Sequence, residues 1–277
     1  MKRFYFYCTL LLYSCTADKE TIKVKGSDTE VNLAVLLAES FHEKNDNLLI
    51  SVSGGGSGLG IASLLNGTAD IANSSRNINE EEEDLFKDKS IQLSSFIFAQ
   101  DAIAFVVSDK LPLDSINTKE LAKILSGTYT NWSQLIKKDQ PINIYGRQSN
   151  SGTHEFVKMV LNIHFSPYAK QMNGNAQILE AIKADNSGIG YVGAGYVVKG
   201  TTEGIKILTI FTDTSIAVSP LDEGKIASGD YFFQRPLFQY YKAKDYEKVK
   251  EFLNFEKSKK GLDIIHSSGY FPVKQSL

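Results

Sequence analysis

INIYGRQSNSGTHEF, Ile142 to Phe156, changes character twice within one short stretch. Ile142 to Arg147 is a β-type run. Gln148 to Thr153 is a polar knot holding Ser149, Ser151, Gly152 and Thr153. Phe156, Val157, Val160 and Leu161 then recur at helical spacing. Ser151 or Thr153 is the expected N-cap. Strand, knot and helix follow one another with no room for a long loop.

The same order occurs twice more. Ile22 to Lys25 leads into GSDTE and then into Leu33, Leu36, Leu37 and Phe41, again at helical spacing. Ser27 and Glu30 stand three apart and predict a capping box there. LLISVS, Leu48 to Ser53, leads into GGGSGLG and then Ile61, Leu64 and Leu65. Strands alternating with helices through short connections predict an α/β fold with mainly parallel sheets. In such sheets ligands gather at the carboxyl ends of strands, where helix N-termini also point, so three knots of this kind converge on one place.

The other segments fit that class. Asn79 followed by Glu80 to Glu83 reads as a helix start with its acids at the positive end of the macrodipole and on a solvated face. DAIAFVV (Asp101 to Val107) and PLFQYY (Pro236 to Tyr241) read as strands crossing between two lobes. Tyr246, Val249, Phe252, Leu253 and Phe255 predict a helix returning to the first lobe, and the aromatic pairs Phe232-Phe233 and Tyr240-Tyr241 read as core. A chain of 277 residues exceeds the usual single domain, and 42% hydrophobic with 22% charged residues describes a soluble globular protein, so two domains are expected.

MKRFYFYCTLLLYSC opens the chain with Lys2 and Arg3, an apolar run to Tyr13, then Ser14 and Cys15. That is a charged region, a short apolar region and a small residue at a cleavage point, the pattern of a secretory signal over residues 1–14. Cys15, directly after Leu12-Tyr13-Ser14, resembles the lipidated cysteine of a bacterial lipobox. Cys8 lies inside the removed segment, so no intramolecular disulfide is expected. Removing residues 1–14 takes away two basic and no acidic residues and leaves a net charge of −4. Bulk charge therefore advertises neither nucleic acid nor an anionic membrane surface, and an anion must be held by local geometry.

A helix N-terminus leaves about four backbone N–H groups unpaired and carries roughly half a positive charge. Glycine lets the backbone approach a ligand, and serine or threonine adds a hydroxyl, so the knots read as parts of an anion site. The candidate donors are Ser27 and Thr29, then Ser57 and Gly58, then Arg147, Ser151, Gly152 and Thr153. Arg147 supplies the planar, permanently charged fork suited to a tetrahedral oxyanion. Asn73-Ser74-Ser75-Arg76 offers further hydroxyls and a second arginine. Gly54 to Gly60 forms neither GxGxxG nor a Walker sequence, and neither Ser57 nor Ser151 sits in GxSxG. His42, His154, His164 and His266 show no metal-ligand spacing, and His154 reads as a helix-surface residue.

With these motifs in hand, the chain resembles the phosphate-binding proteins of Pst-type ABC importers over nearly its whole mature length. The landmarks are GSDT at 26–29, SGGGSGLGI at 53–61, ADIANSSR at 69–76, TNWSQL at 130–135, GRQSNSGTHEF at 146–156, GIGYVGAGYV at 188–197 and GYFPV at 269–273. The resemblance implies a two-lobed periplasmic-binding-protein fold of type II that holds dehydrated phosphate in its cleft by hydrogen bonds. It implies phosphate contacts from Asp28 and Thr29, from Ser57 and nearby amides, and from Arg147, Ser151, Gly152 and Thr153. Ser75 falls where some members of the family place an aspartate that accepts the phosphate proton, and Ser149 where some hold an acid beside the arginine. Arg76 is either a direct ligand or a brace.

Phosphate near neutral pH keeps a proton that sulfate lacks. An ionised carboxylate in the site therefore favours phosphate, since a buried acceptor left without a donor costs about 1–3 kcal/mol or more. With Ser75 in place of the aspartate, Asp28 is the expected acceptor. The expected organisation is a signal peptide over 1–14, a lipidated tether over 15–20, one lobe from 21–102 plus 236–277, and a second from 103–235. The expected protein is an exported, lipid-anchored monomer without catalysis, metal or cofactor, which hands phosphate to the permease subunits of an ABC importer. The alternatives are another tetrahedral oxyanion (molybdate, tungstate or sulfate), an exported phosphatase-like enzyme, and a surface adhesion or sensing lipoprotein.

Overall fold

Alternation of buried and exposed residues sets the first strand, where Ile22 and Val24 turn inward while Lys23 and Lys25 turn away. The structure, a computed structural model, describes residues 20–198 and 203–273. The signal segment, Cys15 and all of the proposed tether but Glu20 lie outside the described residues, and Glu20 itself is the first residue of β1.

The first part of the chain runs β1 (Glu20–Gly26), α1 (Val31–His42), β2 (Leu48–Ser53), α2 (Ser57–Leu65), β3 (Ile71–Ser74) and α3 (Glu80–Asp88). The long β4 (Leu93–Ser108) follows, then β5 (Ser115–Asn117), α4 (Thr118–Leu125), β6 (Asn143–Arg147), α5 (Gly152–Leu161), β7 (Lys170–Met172) and α6 (Asn175–Ala184). Next come β8 (Gly188–Gly193), α7 (Gly195–Val198), β9 (Ile205–Ile207), β10 (Thr209–Phe211) and α8 (Glu223–Ala227). β11 (Gln234–Lys242), α9 (Tyr246–Lys257), α10 (Lys259–Ser267) and β12 (Phe271–Pro272) close the chain.

The strand order is β2-β1-β3-β11-β4-β8-β6-β7, with β9 and β12 also on β4. β4 serves two sheets. Leu93 to Ala102 pairs with β11, and Ile103 to Val107 pairs with β8. Parallel ladders lie outward, β1 with β2 and β3 on one side and β6 with β7 and β8 on the other. Around β4 and β11 the pairing is antiparallel. The sheets are thus mixed rather than purely parallel, because the strands that join the lobes run back against their neighbours.

Each lobe has its own core. Ile22, Leu33, Leu37, Ile71, Leu237 and Phe252 pack together in the first. Phe105, Trp132, Tyr191 and Phe233 anchor the second. Trp132 is fully buried and its Nε1 donates to Ser187 O at 3.0 Å, so the large ring enters the core without leaving its one donor unpaired. Phe232, expected in the core with Phe233, is 44% exposed and only rests edge-on against its neighbour's ring. Among the described residues no helix is long and apolar enough to cross a membrane, and no cluster of His, Cys, Asp or Glu has the makings of a metal site.

Candidate functional site

The three knots meet. Each follows the carboxyl end of a parallel strand, β1, β2 or β6, and two of them lead directly into α2 and α5 at Ser57 and Gly152. Backbone conformation explains why glycine recurs. Gly26 has φ 141° and lies so close to β3 that a Cβ would stand 2.1 Å from Asn73 O. Gly56 has φ 95° and caps α2. Gly152 brings α5 up to the first lobe, where a Cβ would meet Ser57 Oγ at 2.4 Å and Ser75 Oγ at 2.6 Å.

Ser151 is the N-cap of α5, its hydroxyl accepting from Thr153 N at 3.2 Å. The capping box expected between Ser27 and Glu30 does not form. Glu30 caps α1 without a side-chain bond, because its carboxyl is turned into the core while Ser27 Oγ donates to Ser75 Oγ at 3.0 Å. Burial holds the Glu30 carboxyl well above the usual carboxylate range, opposed by the charge of Arg235.

Hydroxyls line the junction in two groups. Ser75 Oγ lies 3.0 Å from Ser27 Oγ and 3.4 Å from Ser57 Oγ, and Ser57 Oγ accepts from Ser75 N at 3.1 Å. Across the cleft, Thr29 Oγ1 and Thr153 Oγ1 are 3.0 Å apart, although 124 residues separate them in the chain. Ser27, Thr29, Ser57, Ser75, Ser151 and Thr153 are all buried. Such a density of buried alcohols has no use in an apolar core, where each must find a partner.

Arg147 leaves the end of β6 and is 2% exposed. One of its nitrogens, Nη2, donates to Asp28 Oδ2 and, at 2.9 Å, to Asn173 O. Nε and Nη1 are buried and have no hydrogen-bond partner among the described residues. Asp28 comes from the other lobe, so Arg147 takes its counter-charge across the cleft. Asp28 Oδ1 accepts from Gly55 N at 2.9 Å, and Tyr196 OH donates to Asp28 O at 2.7 Å. Asn150 clasps the same edge, its carbonyl accepting from Gly58 N at 3.1 Å and its amide donating to Gly55 O at 3.0 Å.

Gly58 thus spends its amide on the opposite lobe, and Arg76, close beside Gly58, is engaged by Glu82. Both terminal nitrogens of Arg76 go to Glu82, at 2.7 and 2.6 Å, so one member of the glutamate run predicted to be solvated instead braces an arginine. Asn79 caps α3 with the capping box to Glu82. His154 is half-buried rather than on the helix surface. Its Nδ1 donates to Arg147 O at 3.1 Å, its ring lies against Phe165, and burial lowers its pKa and favours the neutral form.

Two residues at the centre belong to none of the three knots. Arg235 and Asp101 face each other in the β11–β4 ladder and are essentially inaccessible. Arg235 Nη2 and Nε reach Asp101 Oδ2 at 2.9 and 3.2 Å, Nη1 donates to Ser75 O at 3.1 Å, and Nη2 also reaches Thr29 Oγ1 at 3.1 Å and Thr153 Oγ1 at 3.0 Å. Burial raises the Asp101 pKa, and Arg235 opposes that rise. The available signal was a lone acid at the head of one crossing strand and a lone base at the head of the other.

Fold and cleft together define a two-lobed binding protein whose cleft presents helix N-termini, alcohols and a guanidinium to an anion. The family model of the PBP superfamily domain matches residues 14–260. The phosphate-binding protein PstS of Borreliella burgdorferi is 30% identical over 278 residues, covering 96% of this chain and 95% of that protein. The chain belongs to this family of PstS-type phosphate-binding proteins within the PBP superfamily. An ABC-type phosphate transport receptor from Vibrio cholerae superimposes with a TM-score of 0.72 at 26% identity, covering 91% of this chain and 100% of its own. A substrate-binding protein from Clostridium perfringens, solved with bound phosphate, gives a TM-score of 0.82 over 92% of this chain and 100% of its own. At 23% identity, that likeness speaks for the fold alone.

Proposed function

We propose that this chain binds inorganic phosphate in the cleft between its lobes and delivers it to the permease of an ABC importer. One observation carries the reading. Arg147 is buried with two nitrogens unpartnered among the described residues, beside buried alcohols contributed by both lobes. Buried N–H groups without acceptors are costly, and a tetrahedral oxyanion supplies acceptors in the number and directions required.

The proposed contacts are Ser27, Asp28, Thr29, Ser57, Ser75, Arg147, Ser151, Gly152 and Thr153. Gly58 positions the α2 end of the cradle, and Arg76 braces α3 behind it. Lobe limits of 21–102 plus 236–277 and of 103–235 belong to this reading; β4 changes sheets between Ala102 and Ile103, while Gln234 and Arg235 already pair with Ala102 and Asp101 on the first lobe's side. Residues 1–14 direct export and Cys15 carries the lipid that tethers a monomer to a bacterial membrane, facing the periplasm or the outside. No catalytic step or cofactor is involved.

Asp28 is the proposed acceptor for the phosphate proton. Both its oxygens already accept a bond, and each keeps a further lone pair. Calorimetric titration with phosphate and sulfate tests ligand and role together. The native chain is expected to prefer phosphate, and Asp28→Asn to lose roughly tenfold or more of that preference. Failure of the native chain to bind phosphate would remove the reading. An undiminished preference in Asp28→Asn would remove only the acceptor role.

A further inference from the structure

Arg235 touches both halves of the cradle from a strand that belongs to neither knot. Its Nη2 lies 3.1 Å from Thr29 Oγ1, in the first lobe, and 3.0 Å from Thr153 Oγ1, at the start of α5 in the second. Asp101, opposite it in the ladder, holds the guanidinium through Nε and Nη2, and Ser75 O holds Nη1. All three nitrogens are therefore occupied, unlike those of Arg147.

A guanidinium has donors and no lone pair, whereas a hydroxyl has one proton and two lone pairs. Toward Arg235 the two threonine hydroxyls act only as acceptors. Their protons must then point elsewhere, one along the 3.0 Å line between the two oxygens and the other away from Arg235. When an anion offers acceptor oxygens, both protons have the same place to go.

We infer that Arg235, fixed by Asp101, is a positioning residue for anion binding, turning the Thr29 and Thr153 hydroxyls into donors toward the cleft and joining the two lobes' contributions as the lobes meet. The inference rests on the phosphate reading and assigns Arg235 a role through the threonines rather than through the ligand. It also explains why a buried ion pair, which contributes little net stability compared with apolar side chains of the same volume, is placed at this junction.

A double-mutant cycle tests it, because a purely structural role does not depend on one hydroxyl. R235K keeps a charge beside Asp101 but cannot reproduce the planar fork. Phosphate titrated into R235K should bind about tenfold or more weakly than to the unaltered chain, while the same change in a Thr153→Val background should cost only about threefold, because the Thr29 hydroxyl alone is left for Arg235 to position. Equal losses in both backgrounds would show that Arg235 merely supports the fold and would overturn the inference, as would no loss in either. If R235K does not fold, the charge-neutral pair D101N/R235Q goes through the same cycle with the same expectation. Absence of phosphate binding by the unaltered chain would instead overturn the reading on which the inference rests.

Discussion

Arg147 holds a permanent charge where water does not reach it, with only Nη2 engaged by Asp28 and Asn173. The remaining nitrogens carry a desolvation cost of about 1–3 kcal/mol per unpaired group, and an oxyanion relieves it. That relief needs two N–H groups in one plane, which lysine cannot offer. Arg147→Lys should therefore weaken phosphate binding by roughly a hundredfold, corresponding to about 2–3 kcal/mol, while keeping the charge opposite Asp28. Calorimetry checks this, and a loss of threefold or less would mean that the guanidinium acts as a point charge. The same physics marks Asp28. An acid that faces the arginine from the opposite lobe couples ligand charge to lobe approach, which an acid beside the arginine on the same loop cannot do.

At the scale of the element, α5 shows how a helix start becomes part of a cradle. Its cap, Ser151, frees the following residues to meet the first lobe, and Gly152 does so with no side chain in the way. An alanine there would push its Cβ against Ser57 Oγ and Ser75 Oγ, both buried in the opposite lobe, so that either these cradle hydroxyls turn away or α5 retreats. Gly152→Ala is expected to weaken phosphate binding about tenfold with a change in ligand-free stability of roughly 1 kcal/mol or less, alanine being a good helix former. Parallel calorimetry and thermal melting separate the two effects, and unchanged affinity would show that the close approach is incidental.

Elements of this kind were legible because their signals are local. Three strand–knot–helix runs announce themselves by a change of hydrophobic period over a few residues, and Asn79 and Ser151 cap the helices they precede. Long-range pairing leaves no such trace. Asp101 heads one apolar run and Arg235 directly precedes another, 134 residues apart, and only the antiparallel register sets them opposite each other. Glu30 misled for the same reason. Three residues from Ser27 it matches a capping box, yet tertiary packing buries its carboxyl and overrides the local preference.

Taken as a whole, the molecule keeps several acids dry in its first lobe, and stability must register them. Glu256, on α9, is 1% exposed. One oxygen accepts from Gln239 Nε2 at 2.9 Å, and the other has no hydrogen-bond partner among the described residues. Burial pushes its carboxyl from an ordinary 4.5 up to about 8, against the smaller pull of Gln239 and Lys257. Glu30, also buried and also raised, adds to the local crowding of acids. For a carboxyl whose folded pKa lies above the unfolded one, the folded chain retains a proton that the unfolded chain has lost. Stability should accordingly fall as pH rises from about 4.5 to about 8, by at most about 1.4 kcal/mol per pH unit for this one group, and level off above that window. Glu256→Gln keeps the shape and removes the titration. Its stability advantage over the native chain, measured by denaturant unfolding without phosphate, should be small at pH 5, widen through pH 6 and 7, and stop growing near pH 8. Parallel stability curves for the two proteins across that range would mean that Glu256 ionises as readily in the folded lobe as in the unfolded chain, and that the first lobe admits enough water to solvate it.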